Sequence, residues 1–267
     1  MRSPLAEEIH PGWIGFRRLF ALAVGLTWLS RAPQIPELYS RDALIVQAAG
    51  SALPISPALA WALWGLLLVG LGLVGLGRRV RLGAALVLGA LLAFRQASPD
   101  YVYLYDQLAL WQAFALLFYP TGGGRTPGSP LGRYLLTLSY MGLYAGTGLS
   151  KLARTGSWFW GAPLSLWLVD SHFAGGALAR ALSVSPVALA VMGSATVLFE
   201  AGFPLALLHR WTRRIWLLLG VGLHLGILVL MRVHTFSLVA LSAYPLLLSA
   251  QDATALAAWL RQRRDRL

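Results

Sequence analysis

Long apolar runs, each about the length of a membrane-spanning helix, recur along almost the whole chain. A helix needs roughly 20 mostly apolar residues to cross the hydrocarbon core of a bilayer. Short segments rich in proline, arginine or other polar residues separate these runs. The pattern predicts an all-α membrane helix bundle with about eight spans. The predicted spans cover residues 13–30, 57–77, 80–95, 103–119, 133–153, 186–208, 213–232 and 235–250.

Composition agrees with this pattern. Of the 267 residues, 57% are hydrophobic and only 12% are charged, whereas a soluble domain carries about 25% charged residues. We therefore predict one transmembrane domain over residues 1–267, with the lipid bilayer as its surroundings. Residues 251–267 form a basic tail, which we expect on the cytoplasmic surface.

The arginines predict an orientation. With the N-terminus inside, 15 arginines fall in inside segments and 6 in outside segments, as the positive-inside rule requires. We therefore predict a multi-pass protein of the cell membrane, a bacterial inner membrane, with both termini cytoplasmic. The net charge of +12 would suggest nucleic-acid binding in a soluble protein, but topology accounts for it here, and we expect no nucleic-acid partner.

Two further features concern packing. Small residues recur within the spans with the spacing found at helix–helix contacts. They are Gly70, Gly72, Gly75 and Gly77, then Gly142 and Gly146, and Gly222 and Gly226. The second long outside segment, 154–185, is rich in tryptophan, which predicts a short helix at the membrane interface.

Four ionisable residues stand within or near the predicted spans: Asp106, Lys151, Glu200 and His224. A charge at the centre of a span costs about 2.5 kcal/mol or more, so each of them needs a partner or a function. Estimated depths predict that Asp106 pairs with Lys151 near the outer face, and Glu200 with His224 at mid-depth.

Lys151 is the only lysine, beside 21 arginines. Lysine can lose its proton when it is desolvated and act as a base, which arginine effectively cannot do. Lys151 is therefore a candidate general base, or else a structural lysine near a helix end. The chain has no cysteine and no HExxH spacing, so we expect no metal site.

Several stretches together resemble the vitamin K-dependent gamma-carboxylase family, whose membrane region is also called the horizontally transferred transmembrane (HTTM) domain. The stretches are Ser98–Tyr105, Tyr144–Leu152, Trp158 with Gly161, Glu200–Pro204, His224 and Thr235–Ser237.

The resemblance implies a helical membrane fold with a cavity that opens outward. It also implies that Lys151 is the general base, which deprotonates a quinol similar to reduced vitamin K or another lipophilic substrate. Asp106, Glu200 and His224 would then tune this base or relay protons. Trp158, Tyr105 and Tyr144 would line the cofactor.

The chain also departs from this family. Phe118-Tyr119-Pro120 stands where the carboxylases carry a histidine, and no large lumenal region corresponds to theirs. We therefore do not expect this chain alone to carboxylate protein glutamate. Two other functions stay open: a non-enzymatic scaffold or maturation partner for an exported protein, and a small transporter.

Overall fold

The computed structural model describes residues 10–40, 55–99, 103–120, 130–154, 156–170 and 175–264. These residues are helical almost throughout and form no β-strand, apart from an isolated bridge between Ser40 and Ile55. The all-α prediction is therefore confirmed for this part of the chain. The helices are α1 (Gly12–Ser30), α2 (Ile35–Tyr39), α3 (Pro57–Leu76), α4 (Val80–Ala97), α5 (Leu104–Leu116), α6 (Leu131–Ala153), α7 (Ala162–Val169), α8 (Ala177–Ser183), α9 (Pro186–Ala206), α10 (Arg210–Leu230), α11 (His234–Ser242), α12 (Tyr244–Leu247) and α13 (Ala250–Arg264).

Helices lie at each of the predicted span positions. Among the described residues, four of them, α3, α4, α9 and α10, are long and apolar enough to cross a membrane. Helix α5 has only 13 residues, and the last predicted span is divided into α11 and α12. Pro245 lies in the first turn of α12, where the missing N–H of proline is tolerated, so the second helix begins there.

The chain divides into two compact units. The first contains residues 1–136 and 242–267, and the second contains residues 137–241.

In the first unit, α3 and α4 form a tight antiparallel hairpin. The turn uses the left-handed region at Gly77 (φ 74°) and Arg79 (φ 51°), where glycine carries no steric penalty. The helices approach closely at Gly70, one of the glycines that the sequence pattern indicated, and a Cβ atom there would lie 2.8 Å from the carbonyl oxygen of Gly83. Arg17 of α1 closes this end, since its guanidinium donates to the carbonyl of Val74 at 2.9 Å.

In the second unit, close helix approaches occur at glycines other than those that the sequence pattern indicated. A Cβ atom at Gly148 would lie 2.4 Å from the backbone nitrogen of Ala201, and one at Gly193 would lie 2.0 Å from the carbonyl oxygen of Trp158. By contrast, nothing among the described residues lies within 4 Å of a Cβ atom at any of the four glycines that the pattern indicated in this unit. These are Gly142, Gly146, Gly222 and Gly226. The prediction that they form helix contacts is not met within the described residues.

The tryptophan-rich segment forms short helices, as predicted. Helices α7 and α8 pack together, and Trp158 and Leu168 join Leu189 and Val197 of α9 in one buried apolar cluster. Residues 155 and 171–174 of this segment lie outside the described residues.

Candidate functional site: a buried ion pair in the second unit

Lys151 and Glu200 form an ion pair between α6 and α9. The Nζ atom of Lys151 donates to Oε2 of Glu200, and the two side chains are only 14% and 12% exposed. The chain therefore places its single lysine against a carboxylate in a largely desolvated position.

The Lys151 amine also contacts an aromatic ring. Lys151 Nζ lies 4.8 Å from the centroid of the Trp158 ring, within the range of a cation–π contact. Trp158 itself is 5% exposed. Gly193 lets α9 lie against the Trp158 carbonyl, which fixes the backbone position of this residue.

The spacing of residues on α6 explains how the pair forms. Tyr144, Gly148 and Lys151 lie at intervals of four and three residues, so they share one face of the helix. Gly148 brings this face into backbone contact with α9 at Ala201, next to Glu200. The glycine therefore sets the helix separation at which Lys151 reaches the carboxylate.

Two turns before Lys151, the same face of α6 carries a second polar contact. The Tyr144 hydroxyl shares a hydrogen bond of 2.7 Å with Nε2 of His224 on α10. Both residues are almost fully buried, at 3% and 1% exposure. Phe203 packs 4.3 Å from the Tyr144 ring, and Phe236 packs 5.4 Å from the His224 ring.

In the first unit, Arg31 is the centre of a different cluster. Its guanidinium donates to both carboxylate oxygens of Asp106, at 3.0 and 3.2 Å, and to the hydroxyl of Tyr39 at 3.1 Å. It also hydrogen-bonds to the Tyr105 hydroxyl and lies over the Tyr105 ring, 4.9 Å from its centroid. Asp106 accepts from the backbone N–H of Tyr103 as well, and so caps α5.

The ion pairs differ from the predicted ones. Lys151 pairs with Glu200 instead of Asp106, and Asp106 pairs with Arg31. His224 bonds to Tyr144, whereas the Glu200 carboxylate contacts Lys151. The depth estimates could not predict these partners, because they give the height of a residue along its own helix and do not show which helices lie next to each other.

Five of the predicted site residues therefore belong to the second unit, and two, Asp106 and Tyr105, belong to the Arg31 cluster of the first. Sequence reasoning missed Arg31, which it counted only as an outside arginine. The residue lies just after α1 and before Pro33, and no local pattern marks it as buried. Among the described residues, no group of three or more potential metal ligands is found.

The second-unit arrangement suits proton transfer. It combines a carboxylate that can accept a proton, a cation that can balance a new negative charge, and a flat apolar ring beside both. Low solvent exposure strengthens each electrostatic contact.

Comparisons with protein-family models, with curated proteins and with solved structures find no match for this chain. The resemblance to the carboxylase family therefore depends on the quoted residues alone.

Proposed function

We propose that this chain is a membrane-embedded enzyme similar to the vitamin K-dependent carboxylase (HTTM) family, and that it removes a proton from a quinol or another lipophilic weak acid. The observation that carries the proposal is the Lys151–Glu200 pair. Its two charges are largely buried, and a buried pair of this kind is weak support for stability alone. Ionisable residues inside a membrane-spanning segment are rare and mark functional sites.

The residues at this pair fit a quinol chemically. When bound, a quinol supplies an apolar ring and a weakly acidic hydroxyl group. The indole of Trp158 offers a flat surface for the ring, Lys151 acts as the general base, and the Glu200 carboxylate is in contact with its amine. Charge stabilisation inside a site of low polarity is the strongest single contribution that a protein makes to such a reaction.

We propose in addition that the chain crosses the cell membrane eight times with both termini in the cytoplasm. Two arginine contacts in the first unit support the alternation of the early spans. Arg17, near the start of α1, binds carbonyls at the end of α3, and Arg81, near the start of α4, donates to the Tyr119 carbonyl just after α5 at 2.8 Å. In both contacts the start of one helix lies beside the end of another, so the two helices run antiparallel. Consecutive membrane spans must run in opposite directions in this way.

Binding of reduced vitamin K1 tests the enzymatic proposal. The full chain is reconstituted in lipid nanodiscs, and equilibrium binding is measured under anaerobic conditions. We expect saturable binding at one site, weakened at least tenfold in Lys151→Gln, and unchanged in Arg95→Gln, which alters an exposed arginine. Binding no greater than that of empty nanodiscs would contradict the proposal.

A further inference from the structure

The turn between α3 and α4 in the first unit is strongly cationic. It carries Arg78 and Arg79, and Arg81 follows in the first turn of α4. We propose that these three arginines bind the phosphate of an anionic phospholipid. The site involves none of the residues around Lys151, so the proposal does not depend on the proposed function.

These arginines have no counter-charge within the part of the chain that the structure describes. None of the three forms an ion pair there, and all three are exposed. A fourth cation, the buried guanidinium of Arg17, lies against the turn, since a Cβ atom at Gly77 would lie 2.6 Å from its Nη2. Positive charges gathered in this way repel one another, so an anion bound among them is stabilising.

Arg79 is a poor choice for the local backbone. Among the described residues it is the only one besides glycine with a positive φ, 51°, a conformation that glycine and asparagine adopt more readily. It is also the N-cap residue of α4, yet its side chain makes no capping hydrogen bond, which asparagine could make. An arginine held in this conformation indicates that its side chain has a use other than shaping the turn.

Arg81 presents a guanidinium group of fixed orientation at the start of α4. Its Nε atom donates to the Tyr119 carbonyl at 2.8 Å, and within the described ranges its two Nη atoms make no hydrogen bond. Two parallel N–H groups of a guanidinium match two oxygens of one phosphate. The free edge of Arg81 is therefore suited to a phosphate.

Apolar surface continues from the arginines along both helices, which favours a phospholipid as the source of the phosphate. Leu76, just before the turn, and Leu82, just after it, are exposed. Both α3 and α4 are long and apolar enough to cross a membrane, and a turn that joins two such spans lies at the level of the headgroups. The leucines can then contact the acyl chains of the lipid whose phosphate the arginines bind.

Binding of phosphatidylglycerol to the full chain tests the proposal. The protein is purified in a neutral detergent, the lipid is added, and native mass spectrometry counts the lipid molecules bound. We expect phosphatidylglycerol to bind about tenfold more tightly than phosphatidylcholine, because the choline group places a positive charge beside the arginines. Inorganic phosphate at the same concentration should not displace the lipid, since it has no acyl chains.

A double variant, Arg78→Gln with Arg79→Gln, removes two of the three phosphate contacts. It should weaken phosphatidylglycerol binding by about tenfold or more. The control is Arg180→Gln with Arg232→Gln, which removes the same charge from two exposed arginines of the second unit and should leave this binding unchanged.

Arg79→Gly separates the lipid contact from the fold of the turn. Glycine adopts the left-handed conformation without a steric penalty, so in detergent without phosphatidylglycerol this variant should melt no lower than the unaltered chain. It should nevertheless bind the lipid less tightly, and added lipid should raise its melting temperature less.

Three results would overturn the proposal. The first is equal binding of phosphatidylglycerol and phosphatidylcholine by the unaltered chain. The second is displacement of the lipid by inorganic phosphate, which would indicate a site for a free anion. The third is lipid binding by Arg79→Gly that equals that of the unaltered chain, or an equal loss in the double variant and its control, which would show that binding follows net charge alone.

Discussion

Lys151 on α6 and Glu200 on α9 form an ion pair in which neither side chain is more than 14% exposed. The two residues are 49 positions apart in the sequence, so the contact joins distant parts of the second unit. It depends on a third residue, Gly148, at which the two helices touch through their backbones.

Removing one partner of this pair should destabilise the fold. Glu200→Leu leaves a buried ammonium group without its counter-charge, which typically costs about 3 kcal/mol in the free energy of unfolding. We expect the double variant Lys151→Met, Glu200→Leu to regain most of that loss, because no unpaired charge remains. Unfolding by sodium dodecyl sulfate in mixed micelles measures both effects.

Glu37→Gln is the control for the comparison of the single and double variants, since Glu37 is exposed at the surface of the first unit. It should change the free energy of unfolding by no more than about 0.5 kcal/mol. A Glu200→Leu variant as stable as this control would show that the pair contributes nothing to the fold.

Two glycines of α6 offer a matched test of the helix contact. Gly148→Ala places a methyl group 2.4 Å from the Ala201 nitrogen, so α6 and α9 must separate, at a cost of about 1–3 kcal/mol. Gly142→Ala meets open space among the described residues and should stabilise the helix by about 0.5–1 kcal/mol. Thermal unfolding of both variants measures the difference, and equal melting temperatures would contradict the close contact at Gly148.

The contrast between these glycines shows what the sequence could and could not predict. Apolar runs located the helices well, because the length and hydropathy of a segment are local properties. The spacing of small residues indicated a contact at Gly70, which the structure shows, and contacts at Gly142 and Gly146, whereas the contact of α6 lies at Gly148. Which face of a helix meets a neighbour depends on the packing of all the helices, and one sequence does not contain that information in local form.

The ionisable residues repeat this lesson. Lys151, Glu200 and His224 could be singled out because charged and polar groups are rare in apolar runs. Their partners could not be assigned, because a depth along one helix leaves the neighbouring helix open. Arg31 escaped notice because an arginine at the end of a span fits the ordinary rule for topology.

Arg31 should not be replaceable by lysine. The planar guanidinium bonds to both oxygens of Asp106 and also reaches Tyr39 and Tyr105, a geometry that a single ammonium group cannot reproduce. We expect Arg31→Lys to lower the free energy of unfolding by about 2 kcal/mol. Arg18→Lys changes an exposed arginine in the same way and should be neutral. Equal stability of the two variants in the same detergent titration would argue against the cluster.

The orientation in the membrane can be tested with single cysteines, because the chain contains none. Gln96→Cys and Ala153→Cys introduce thiols at exposed positions that we place outside, and Thr254→Cys does so at an exposed position that we place inside. In intact cells, an impermeant maleimide should label the first two and spare the third. Labelling of Thr254→Cys alone would reverse the proposed orientation.

The state of the Lys151 amine tests the central claim most directly. Because the chain has one lysine, incorporation of lysine labelled with ¹⁵N at Nζ gives one side-chain signal in nuclear magnetic resonance, and Lys151→Arg confirms its origin by removing it. For the protein in nanodiscs at pH 8, we predict an ammonium signal that exchanges slowly with water and changes position in Glu200→Gln. An amine signal, or an ammonium signal that matches free lysine and is unaffected by Glu200→Gln, would contradict a buried cation paired with Glu200.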